Sequence, residues 1–247
     1  MSEQQAIELA LISLQANVPV VDDRTFYAHL FERLPLDDVS KRWILEQGLA
    51  RPQAVVVATK RFADLVGASL GLLILSPVML VIAVAVRLTS SGPVFFTQTR
   101  QGRFFRSFRM IKFRTMRHEG NGDGGGFTRV GDDRVTSVGR VLRRAHLDEL
   151  PQLINILRGE MSLVGPRPET LDFARRMDAE LPLYELRYLV RPGLTGHAQL
   201  KQGYAMDTVL DTRTKLSYDL YYLCNYSMLM DLQLILRTAL FLIRRSR

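Results

Sequence analysis

An uncharged run of 22 residues, from Leu65 to Val86, constrains the possible folds of this chain more than any other feature. Basic residues flank it, with Lys60 and Arg61 on one side and Arg87 on the other. As a straight α-helix the run is about 33 Å long, which is close to the thickness of the hydrocarbon core of a bilayer. A buried helix of a soluble protein seldom needs so long a stretch without charge. We therefore expect residues 65–86 to form a membrane-inserted helix.

Two neighbouring residues in the middle of this run, Ser76 and Pro77, predict a bend. Proline removes a backbone donor and clashes with the preceding turn of a helix, and a serine hydroxyl donates readily to a carbonyl one turn back. Because both flanks are basic, positive charge gives no direction for a crossing. A helix that bends and returns to its own side, and a kinked helix that spans the bilayer, both fit these residues. A spanning helix allows residues 1–60 to lie outside the cell.

The charge balance favours an anionic partner. Lys and Arg number 33 against 25 Asp and Glu, which gives a net charge of +8. Such a chain suits nucleic acid, an anionic membrane or phosphorylated substrates. The hydrophobic fraction of 47% is large enough for a buried core, so the chain is not a disordered tail. With one cysteine and four histidines, a disulfide framework and a cysteine-based zinc site are excluded.

Residues 93–116 carry six arginines or lysines interleaved with phenylalanines. A turn at Gln101–Gly102 separates two apolar-rich pieces and predicts a short β-hairpin. Interleaved basic and aromatic residues also bind nucleic acid in many proteins, but here they directly follow the membrane-inserted run. We therefore expect a surface that faces lipid phosphates and no nucleic-acid partner.

The segment of residues 228–243 is strongly apolar but contains Asp231 and Arg237. Two charges in so short a stretch make a membrane span unfavourable. Three further arginines follow it, namely Arg244, Arg245 and Arg247. This pattern is typical of an amphipathic helix that lies in the membrane interface with its basic end on anionic headgroups.

Residues 1–58 contain no candidate catalytic residues. We interpret them as an N-terminal helical extension that serves as a packing element or a linker. Within it, Pro35 and the following aspartates predict a turn, and the stretch from Val39 to Leu49 predicts a short amphipathic helix. Residues 171–188 predict a further helix. The glycine-rich residues 120–126 lack the Gly-Lys-Ser/Thr of a P-loop. They predict a surface loop, with a flap over a site as the alternative.

The strongest candidate for a catalytic centre is the acidic pair Asp148 and Glu149. Proline is tolerated in the first turn of a helix and glycine is a natural stop. Pro151 and Gly159 therefore predict a helix from about Glu149 to Arg158, with Asp148 at or near its N-cap. One interpretation is structural, because an aspartate caps a helix and a glutamate favours its dipole. The functional alternative is that the helix start holds an acid ionised, ready to act as a nucleophile.

Adjacent side chains on a helix point about 100° apart. Asp148 and Glu149 are therefore unsuited to a symmetric pair that shares one proton. We interpret the two carboxylates as having different roles. One acts as the attacking group or binds a metal ion, and the other orients its neighbour or transfers a proton. Arg143 and Arg144, one turn upstream, are candidates for phosphate contacts.

Two turns rich in proline and glycine each carry an arginine. Prolines on both sides of Arg167 limit its backbone freedom, and a rigidly mounted guanidinium suits bidentate phosphate recognition. A plain proline-rich turn is the alternative. Arg191 begins the second such turn. Downstream, the tyrosines at 218, 221 and 222 have a spacing that is more typical of core packing than of a binding shelf.

Taken together, these segments closely resemble the bacterial monotopic phosphoglycosyl transferases, also called polyprenyl-phosphate sugar-1-phosphate transferases. The matching stretches follow the family's order over about residues 60–245. They are Lys60-Arg61-x-x-Asp64, the apolar run with Ser76-Pro77, Lys112-Phe-Arg-Thr-Met116, Leu147-Asp-Glu-Leu-Pro-Gln152, Val164-Gly-Pro-Arg-Pro168 and Arg191-Pro-Gly-Leu-Thr-Gly196. One departure is His197, since similar proteins often carry tryptophan after the last of these motifs.

The resemblance implies an α+β, helix-dominated fold with a re-entrant membrane helix bent at Ser76–Pro77, interfacial amphipathic helices and a small β-hairpin. It implies a membrane-associated transferase domain over residues 59–247, preceded by the extension of residues 1–58. It also implies that Asp148 is a covalent nucleophile with Mg²⁺ beside it, and that Glu149 is its catalytic partner. The residues expected to contact phosphate or substrate are Lys112, Arg143, Arg167 and Arg191.

Similar enzymes use a nucleotide diphosphate sugar and a polyprenyl phosphate. The expected reaction moves a sugar-1-phosphate from a UDP-sugar through an aspartate intermediate to polyprenyl (undecaprenyl) phosphate, with release of UMP. This is the initiating step of exopolysaccharide, capsule, O-antigen or glycoconjugate synthesis. It places the chain at the bacterial inner membrane, with the catalytic part on the cytoplasmic face, in contact with membrane lipids and with a homo-oligomer as a candidate assembly. The alternative is a non-enzymatic, basic membrane scaffold or nucleic-acid tether, which leaves the arginine-bearing turns and the acidic pair unexplained.

Overall fold

In a computed structural model of the chain, the described residues are 8, 12–13, 15–16, 21–46, 54–117, 132–203 and 208–245. Their helices are α1 (Asp23–Phe31), α2 (Lys41–Ile44), α3 (Ala54–Thr89), α4 (Ser137–Arg144), α5 (Gln152–Arg158), α6 (Leu171–Glu180), α7 (His197–Gln202), α8 (Val209–Asn225) and α9 (Met228–Arg245). Their strands are β1 (Phe95–Gln101), β2 (Ser107–Phe113), β3 (Ser162–Val164) and β4 (Gly193–Thr195). In this part of the chain helices predominate and the sheets have two strands each, which confirms the helix-dominated α+β prediction. The glycine-rich residues 120–126 lie outside the described residues.

The uncharged run forms the centre of α3, which is longer than predicted at both ends. Among the described residues it is the one helix long and apolar enough to cross a membrane, and only 11% of its most apolar window is buried. Pro77 lies inside the helix, and the Ser76 hydroxyl donates to the carbonyl of Leu73 at 2.9 Å. This long, apolar and largely unburied surface agrees with the membrane insertion expected from the sequence.

The hairpin prediction is confirmed, since β1 and β2 pair antiparallel from Phe95 opposite Phe113 to Gln101 opposite Ser107. The connecting loop is longer than the predicted Gln101–Gly102 turn and runs from Gly102 to Arg106. It closes through a bond from the Gly102 amide to the Arg106 carbonyl at 3.0 Å. Its tip residues Phe104 and Phe105 have positive φ and are exposed. The loop therefore presents two aromatic side chains to the surroundings.

One predicted helix ends earlier than expected. The helix predicted over residues 171–188 stops as α6 at Glu180, and a separate 3₁₀ segment follows at Tyr184–Leu189. The cause is Pro182, because the residue before a proline avoids helical geometry, and Leu181 is extended. The helix predicted over residues 39–49 begins at Lys41 as α2 and continues as a π turn through Leu45 and Glu46, and residues 47–49 lie outside the described part. The turn at Pro35 is confirmed by the bond from the Asp38 amide to the Pro35 carbonyl.

The largest hydrophobic core joins the N-terminal helices to the C-terminal half of the chain. Its buried members from the N-terminal part are Ala28, Leu34, Val39 and Ile44. They pack with buried residues of α6, α8 and α9 and of the 3₁₀ segment, including Met177, Tyr184, Leu220, Tyr222 and Leu234. Tyr222 is thus a core residue, as its spacing predicted. Residues 21–46 accordingly pack on the rest of the molecule and are not a free linker.

Two smaller cores attach α3 to the rest of the molecule at two levels. Near its beginning, Ala68 packs with Phe108 and Met110 of β2 and with Leu153 and Ile156 of α5. Near its end, buried residues of α3, β2 and α4 form the other core, namely Ile82, Val86, Phe113 and Leu142. The middle of α3 remains bare, with Leu73 about 72% exposed and Val81 about 68% exposed. The two ends of the apolar run thus pack on one folded body.

Polar contacts from the first turns of α3 strengthen this attachment. Lys60 pairs with Asp231 of α9 and donates to the Val164 carbonyl at 3.1 Å. Asp64 is buried and accepts from the Ser162 hydroxyl and the Leu163 amide, both at 2.9 Å. Each partner lies more than ninety residues away in sequence. The Lys60 and Asp64 side chains therefore attach the beginning of α3 to distant segments of the chain.

The short parallel strands bring the two arginine-bearing turns together. Ser162 lies opposite Gly193 and Val164 opposite Thr195. The backbones approach so closely that a Cβ at Gly193 would lie 2.1 Å from the Gly165 amide nitrogen. Only glycine fits this position, so the glycine of the second turn is required by packing against the first.

The amphipathic helix predicted near the C-terminus is confirmed as α9. One face carries exposed apolar side chains, namely Leu229, Leu232, Leu236 and Leu240. The opposite face turns Leu234 and Asp231 inward, and the Tyr222 hydroxyl donates to Asp231 at 2.7 Å. The side chains of Arg244, Arg245 and Arg247 lie outside the described part.

Candidate active site

The acidic pair lies in a turn before α5. The chain leaves α4 through His146 in a left-handed conformation, and residues 147–149 then form one 3₁₀ turn. Regular α-helix begins only after Pro151, and Gly159 ends it with φ 82°, as predicted. The predicted helix start at Glu149 and the N-cap role of Asp148 are therefore wrong. The left-handed conformation of His146 changes the direction of the chain. The turn that follows it has the i→i+3 hydrogen bonds of a 3₁₀ helix.

Glu149 is buried and held by two cations. Its Oε1 accepts from Lys112 Nζ at 2.7 Å and from Arg167 Nη2 at 2.7 Å, and Arg167 Nη1 approaches Oε2 at 3.5 Å. Burial alone would raise the pKa of Glu149, but the Arg167 and Lys112 charges outweigh it and hold that pKa well below its ordinary value. Glu149 is thus a fixed anion that orients two positive side chains.

Asp148 is nearly as buried as its neighbour but is bonded differently. Its carboxylate forms no ion pair and no side-chain hydrogen bond with another of the described residues. Burial raises the pKa of Asp148 above its ordinary value, and the charges of Lys112 and Arg143 act against this rise. Desolvation, and not the start of a helix, is thus the largest influence on the pKa of Asp148. Of the two carboxylates, Asp148 is the one left available for chemistry.

Lys112 and Arg143 reach the acidic pair from β2 and α4. Lys112 precedes the last residue of β2, and burial lowers its pKa while the Glu149 charge opposes that shift. Arg143 Nε donates to the Thr115 hydroxyl at 2.8 Å, just beyond the end of β2. Thr136 caps α4 by accepting from the Gly139 amide at 2.9 Å, which fixes the start of the helix that carries Arg143.

Gly139 allows α4 to approach this strand end, and its replacement is expected to be costly. A Cβ at Gly139 would lie 2.1 Å from the Thr115 carbonyl oxygen, so Gly139→Ala must push α4 and Arg143 away. We expect a loss of about 1–3 kcal/mol in the free energy of unfolding, measured by thermal denaturation in detergent. Gly71→Ala is the matched control, because its Cβ meets only the flexible end of Leu153 at 3.2 Å. Equal stability of the two variants would contradict this account of α4 packing.

Arg167 is mounted by more than its two prolines. Arg187 Nη2 donates to the Arg167 carbonyl at 3.1 Å, and Arg100 Nη1 donates to the Pro168 carbonyl at 3.3 Å. Arg187 is itself buried and bonds Asp219 at 2.7 Å. Sequence reasoning missed Arg187, because an isolated arginine in an irregular segment gives no motif. The backbone carbonyls of Arg167 and Pro168 are therefore both held by arginine side chains.

The next residue along this turn, Glu169, joins the same buried network. It pairs with Lys215 of α8 and lies 3.7 Å from Arg187. Burial would raise the pKa of Glu169, but the Lys215 and Arg187 charges lower it to about 2. The network links α8 to the turn that carries Arg167, so the position of that guanidinium depends on the folded C-terminal half.

Two sequence-predicted positions lie away from this cluster. Arg191 Nε donates to the Gly159 carbonyl at 2.9 Å, at the far end of α5 from the acidic pair. His197 is buried against α1 and α8, where its Nε2 contacts the Glu32 carbonyl at 2.8 Å and its ring packs on Tyr221. The structure thus brings together Lys112, Arg143, Asp148, Glu149 and Arg167 but not Arg191.

The donor set fits a magnesium ion that is bound together with a substrate. Among the described residues no cluster of three or more His, Cys, Asp or Glu side chains encloses a metal. Mg²⁺ commonly takes one or two carboxylates, with substrate phosphates and water completing the shell. Asp148 offers one such carboxylate, whereas Glu149 is engaged by Lys112 and Arg167.

Comparison with known proteins identifies the family of the chain. The family model described as bacterial sugar transferase matches residues 55–245. This range includes α3 from its second residue onward and the five residues that the structure brings together, namely Lys112, Arg143, Asp148, Glu149 and Arg167. The chain belongs to the bacterial sugar transferase family. This confirms the resemblance on which the sequence predictions rest.

Named relatives of this sugar transferase act on different sugars. An Aeromonas hydrophila UDP-N-acetylgalactosamine-undecaprenyl-phosphate N-acetylgalactosaminephosphotransferase is 40% identical over 90% of this chain and 52% of the relative. A Caulobacter vibrioides UDP-glucose:undecaprenyl-phosphate glucose-1-phosphate transferase is 43% identical over 79% of this chain and 73% of the relative. The exopolysaccharide production protein PSS of Rhizobium leguminosarum bv. phaseoli is 37% identical over 76% of this chain and 96% of the relative. The chain thus spans about half the length of the first relative and nearly all of the third.

Proposed function

We propose that this protein transfers a sugar-1-phosphate from a UDP-sugar to a polyprenyl phosphate such as undecaprenyl phosphate. The observation that carries the proposal is the unequal bonding of the acidic pair. Glu149 is held by two cations, while the adjacent Asp148 has no side-chain partner among the described residues. A buried carboxylate without a partner, beside positive groups suited to phosphate, is equipped to act as a nucleophile on phosphorus.

In the first step, a carboxylate oxygen of Asp148 attacks the β-phosphorus of the UDP-sugar. The bond from that phosphorus to the oxygen that bridges the two phosphates breaks, and UMP leaves with the electron pair. The product on the protein is a sugar phosphate joined to Asp148 as an acyl phosphate. Lys112, Arg143 and Arg167 stabilise the negative charge that develops on the phosphate oxygens.

In the second step, an oxygen of the polyprenyl phosphate attacks the same phosphorus. The bond to Asp148 breaks, the carboxylate is restored, and a polyprenyl diphosphate sugar forms. Glu149 forms no covalent bond in either step. Its ion pairs keep Lys112 and Arg167 in place throughout. The scheme is of the ping-pong type, because UMP leaves before the lipid reacts.

Magnesium is proposed as the cofactor, held by Asp148 and by phosphate oxygens of the donor. When bound, it neutralises charge on the diphosphate and improves UMP as a leaving group. The residues of the chain then bind the phosphates, hold Asp148 in reach and keep the turn before α5 rigid.

The direct test is release of UMP from purified protein in detergent with Mg²⁺, polyprenyl phosphate and a panel of donors. UDP-glucose and UDP-N-acetylgalactosamine head the panel, because the named relatives use these donors. We expect UMP and a polyprenyl diphosphate sugar with at least one donor of the panel. A membrane scaffold or nucleic-acid tether, the alternative function, releases none.

We also propose that α3 is re-entrant, so that both of its ends lie on the cytoplasmic side of the bacterial inner membrane. The support is that Ala68, Ile82 and Val86 pack on one body made of β2, α4 and α5, while the large apolar side chains of Leu73, Ile74, Leu80 and Val81 are 67–72% exposed. A straight crossing would pull this body into the hydrocarbon. The location of the donor agrees, since nucleotide sugars are made in the cytoplasm.

Labelling of two introduced cysteines tests this topology. Cys224 is first replaced by serine. One variant then carries a cysteine in place of Leu30 on α1, and a second variant carries a cysteine in place of Thr99 on β1, since both positions are exposed. A re-entrant helix predicts that an impermeant reagent labels both only after lysis. Labelling of one position alone in intact cells would show a spanning helix.

Pro77→Ala removes the proline that allows the helix to bend. We expect α3 to straighten and part of the population to span, so that one of the two cysteines becomes reactive in intact cells. Unchanged labelling of both positions would mean that Pro77 alone does not determine the bend.

A further inference from the structure

Arg61 and Arg191 meet at the C-terminal end of α5. Arg61 donates to the Ile156 carbonyl at 2.7 Å and to the Leu157 carbonyl at 2.9 Å, while Arg191 Nε donates to the Gly159 carbonyl at 2.9 Å. Arg61 Nη2 lies 3.5 Å from the point that a Cβ on Gly159 would occupy. The two guanidinium groups thus converge on one helix end, with some of their five N–H groups still available.

Arg103, at the tip of the β1–β2 hairpin, joins them. Its Nε donates to the Leu189 carbonyl at 3.1 Å, two residues before Arg191, and the neighbouring Phe105 ring lies 5.2 Å from the Tyr188 ring. Burial and the nearby charges of Arg103 and Arg61 lower the pKa of Arg191. None of the three arginines forms an ion pair with a carboxylate of the described residues. The Asp64 carboxylate acts on Arg191 from a distance and raises its pKa, but it forms no ion pair with any of the three. Three positive charges beside this one carboxylate leave an excess of positive charge that favours a bound anion.

The surroundings of these arginines are apolar and exposed. Large side chains there are 54–68% exposed, namely Phe62, Phe104, Phe105 and Leu229. Phe62 follows Arg61 at the start of the membrane helix, and the Lys60–Asp231 pair holds the beginning of α9 at the same level. Guanidinium groups bordered by exposed aromatic rings fit the headgroup region of a bilayer, where phosphates and apolar chains meet.

We propose that Arg61, Arg103 and Arg191 form a binding site for the phosphate group of an anionic bilayer phospholipid. The site lies at the opposite end of α5 from Asp148, so it is separate from the cationic cluster that holds Glu149. It orients the hairpin tip and the first turns of α3 on the membrane surface. The inference needs only membrane attachment and does not depend on the proposed transferase reaction.

Tryptophan quenching tests the site. Phe104→Trp in a Trp43→Phe background places the only tryptophan of the chain at the hairpin tip. The protein is placed in nanodiscs of four parts phosphatidylcholine to one part phosphatidylglycerol. Brominated acyl chains are carried either by the phosphatidylglycerol or by an equal amount of the phosphatidylcholine. We expect the brominated phosphatidylglycerol to quench about threefold to fivefold more, since one arginine near an anionic surface contributes roughly a factor of five.

Variants identify the residues responsible. Arg103→Gln combined with Arg191→Gln is expected to bring the quenching ratio to about one, while Arg103→Gln alone lowers it in part. Arg109→Gln, an exposed arginine on the same hairpin, is the matched control and leaves the ratio unchanged. If the double variant does not fold, the partial decrease expected for Arg103→Gln alone still tests the proposal. A ratio near one in the parent protein, a ratio that the arginine variants do not change, or an absence of quenching by either lipid would each overturn the proposal.

Discussion

Asp148→Asn is expected to abolish UMP release, with a fall of about 10⁴-fold or more. The amide is nearly isosteric with the carboxylate, but it lacks the charge and the electron pair that attack phosphorus. Asp148 has no side-chain partner among the described residues, so its replacement leaves the ion pairs of Glu149 in place. The loss should therefore appear in turnover, with thermal stability retained. The measurement is UMP release with a saturating donor.

Asp172→Asn is the matched control for this loss. Asp172 is the second residue of α6 and lies on the surface, where its side chain is 99% exposed. The same chemical change at that position should leave UMP release intact. Normal turnover by Asp148→Asn would refute the nucleophile assignment, because no other described carboxylate beside Lys112 and Arg167 is free of an ion pair.

Arg167→Gln is expected to lower turnover about 10²–10³-fold. The variant removes the proposed phosphate contact and leaves Glu149 with Lys112 alone, so both charge stabilisation and the orientation of the acidic pair are weakened. Arg167→Lys keeps the charge but lacks the planar pair of donors, and we expect it to recover only part of the loss. The turnover number and the KM for the donor, measured separately, show whether the effect lies in the transition state.

Arg175→Gln serves as the control for charge removal, since Arg175 lies on the exposed surface of α6 with a side chain that is 79% exposed. It should behave as the parent protein. If Arg167→Gln kept full turnover, Arg167 would be a structural partner of Glu149 and the phosphate role would be lost.

Local patterns predicted much of the fold correctly. The uncharged run before Arg87, the hairpin, the amphipathic α9 and the helix stop at Gly159 all follow from short stretches of sequence. Each depends on a preference of a few neighbouring residues, such as glycine at a left-handed helix end. The break at Leu181–Pro182 was readable in the same way and was missed.

The errors at the candidate site come from contacts between distant segments. The N-cap prediction for Asp148 assumed a chain that enters the helix directly, whereas His146 turns left-handed on leaving α4. The helix dipole was taken as the main influence on the Asp148 carboxyl, whereas burial is the largest influence on its pKa. Burial of one side chain depends on every element around it, so sequence spacing does not reveal it.

The same reasoning explains why Arg167 was found and Arg187 was not. Arg167 is flanked by prolines and stands out in the sequence, and it does reach Glu149. Arg187 contacts the Arg167 carbonyl only because α6, the 3₁₀ segment and α8 pack together. Likewise, Arg191 has the motif of a substrate contact, but the pairing of β3 with β4 places it at the far end of α5.

The central claim, that Asp148 carries the sugar phosphate, is tested most directly by intact-mass spectrometry. The protein is incubated with Mg²⁺ and its donor in the absence of polyprenyl phosphate, then digested to locate any adduct. We predict a mass increase of one sugar phosphate on the peptide that contains Asp148, which hydroxylamine removes and which polyprenyl phosphate discharges. Formation of the polyprenyl diphosphate sugar without an adduct on Asp148 would contradict the account.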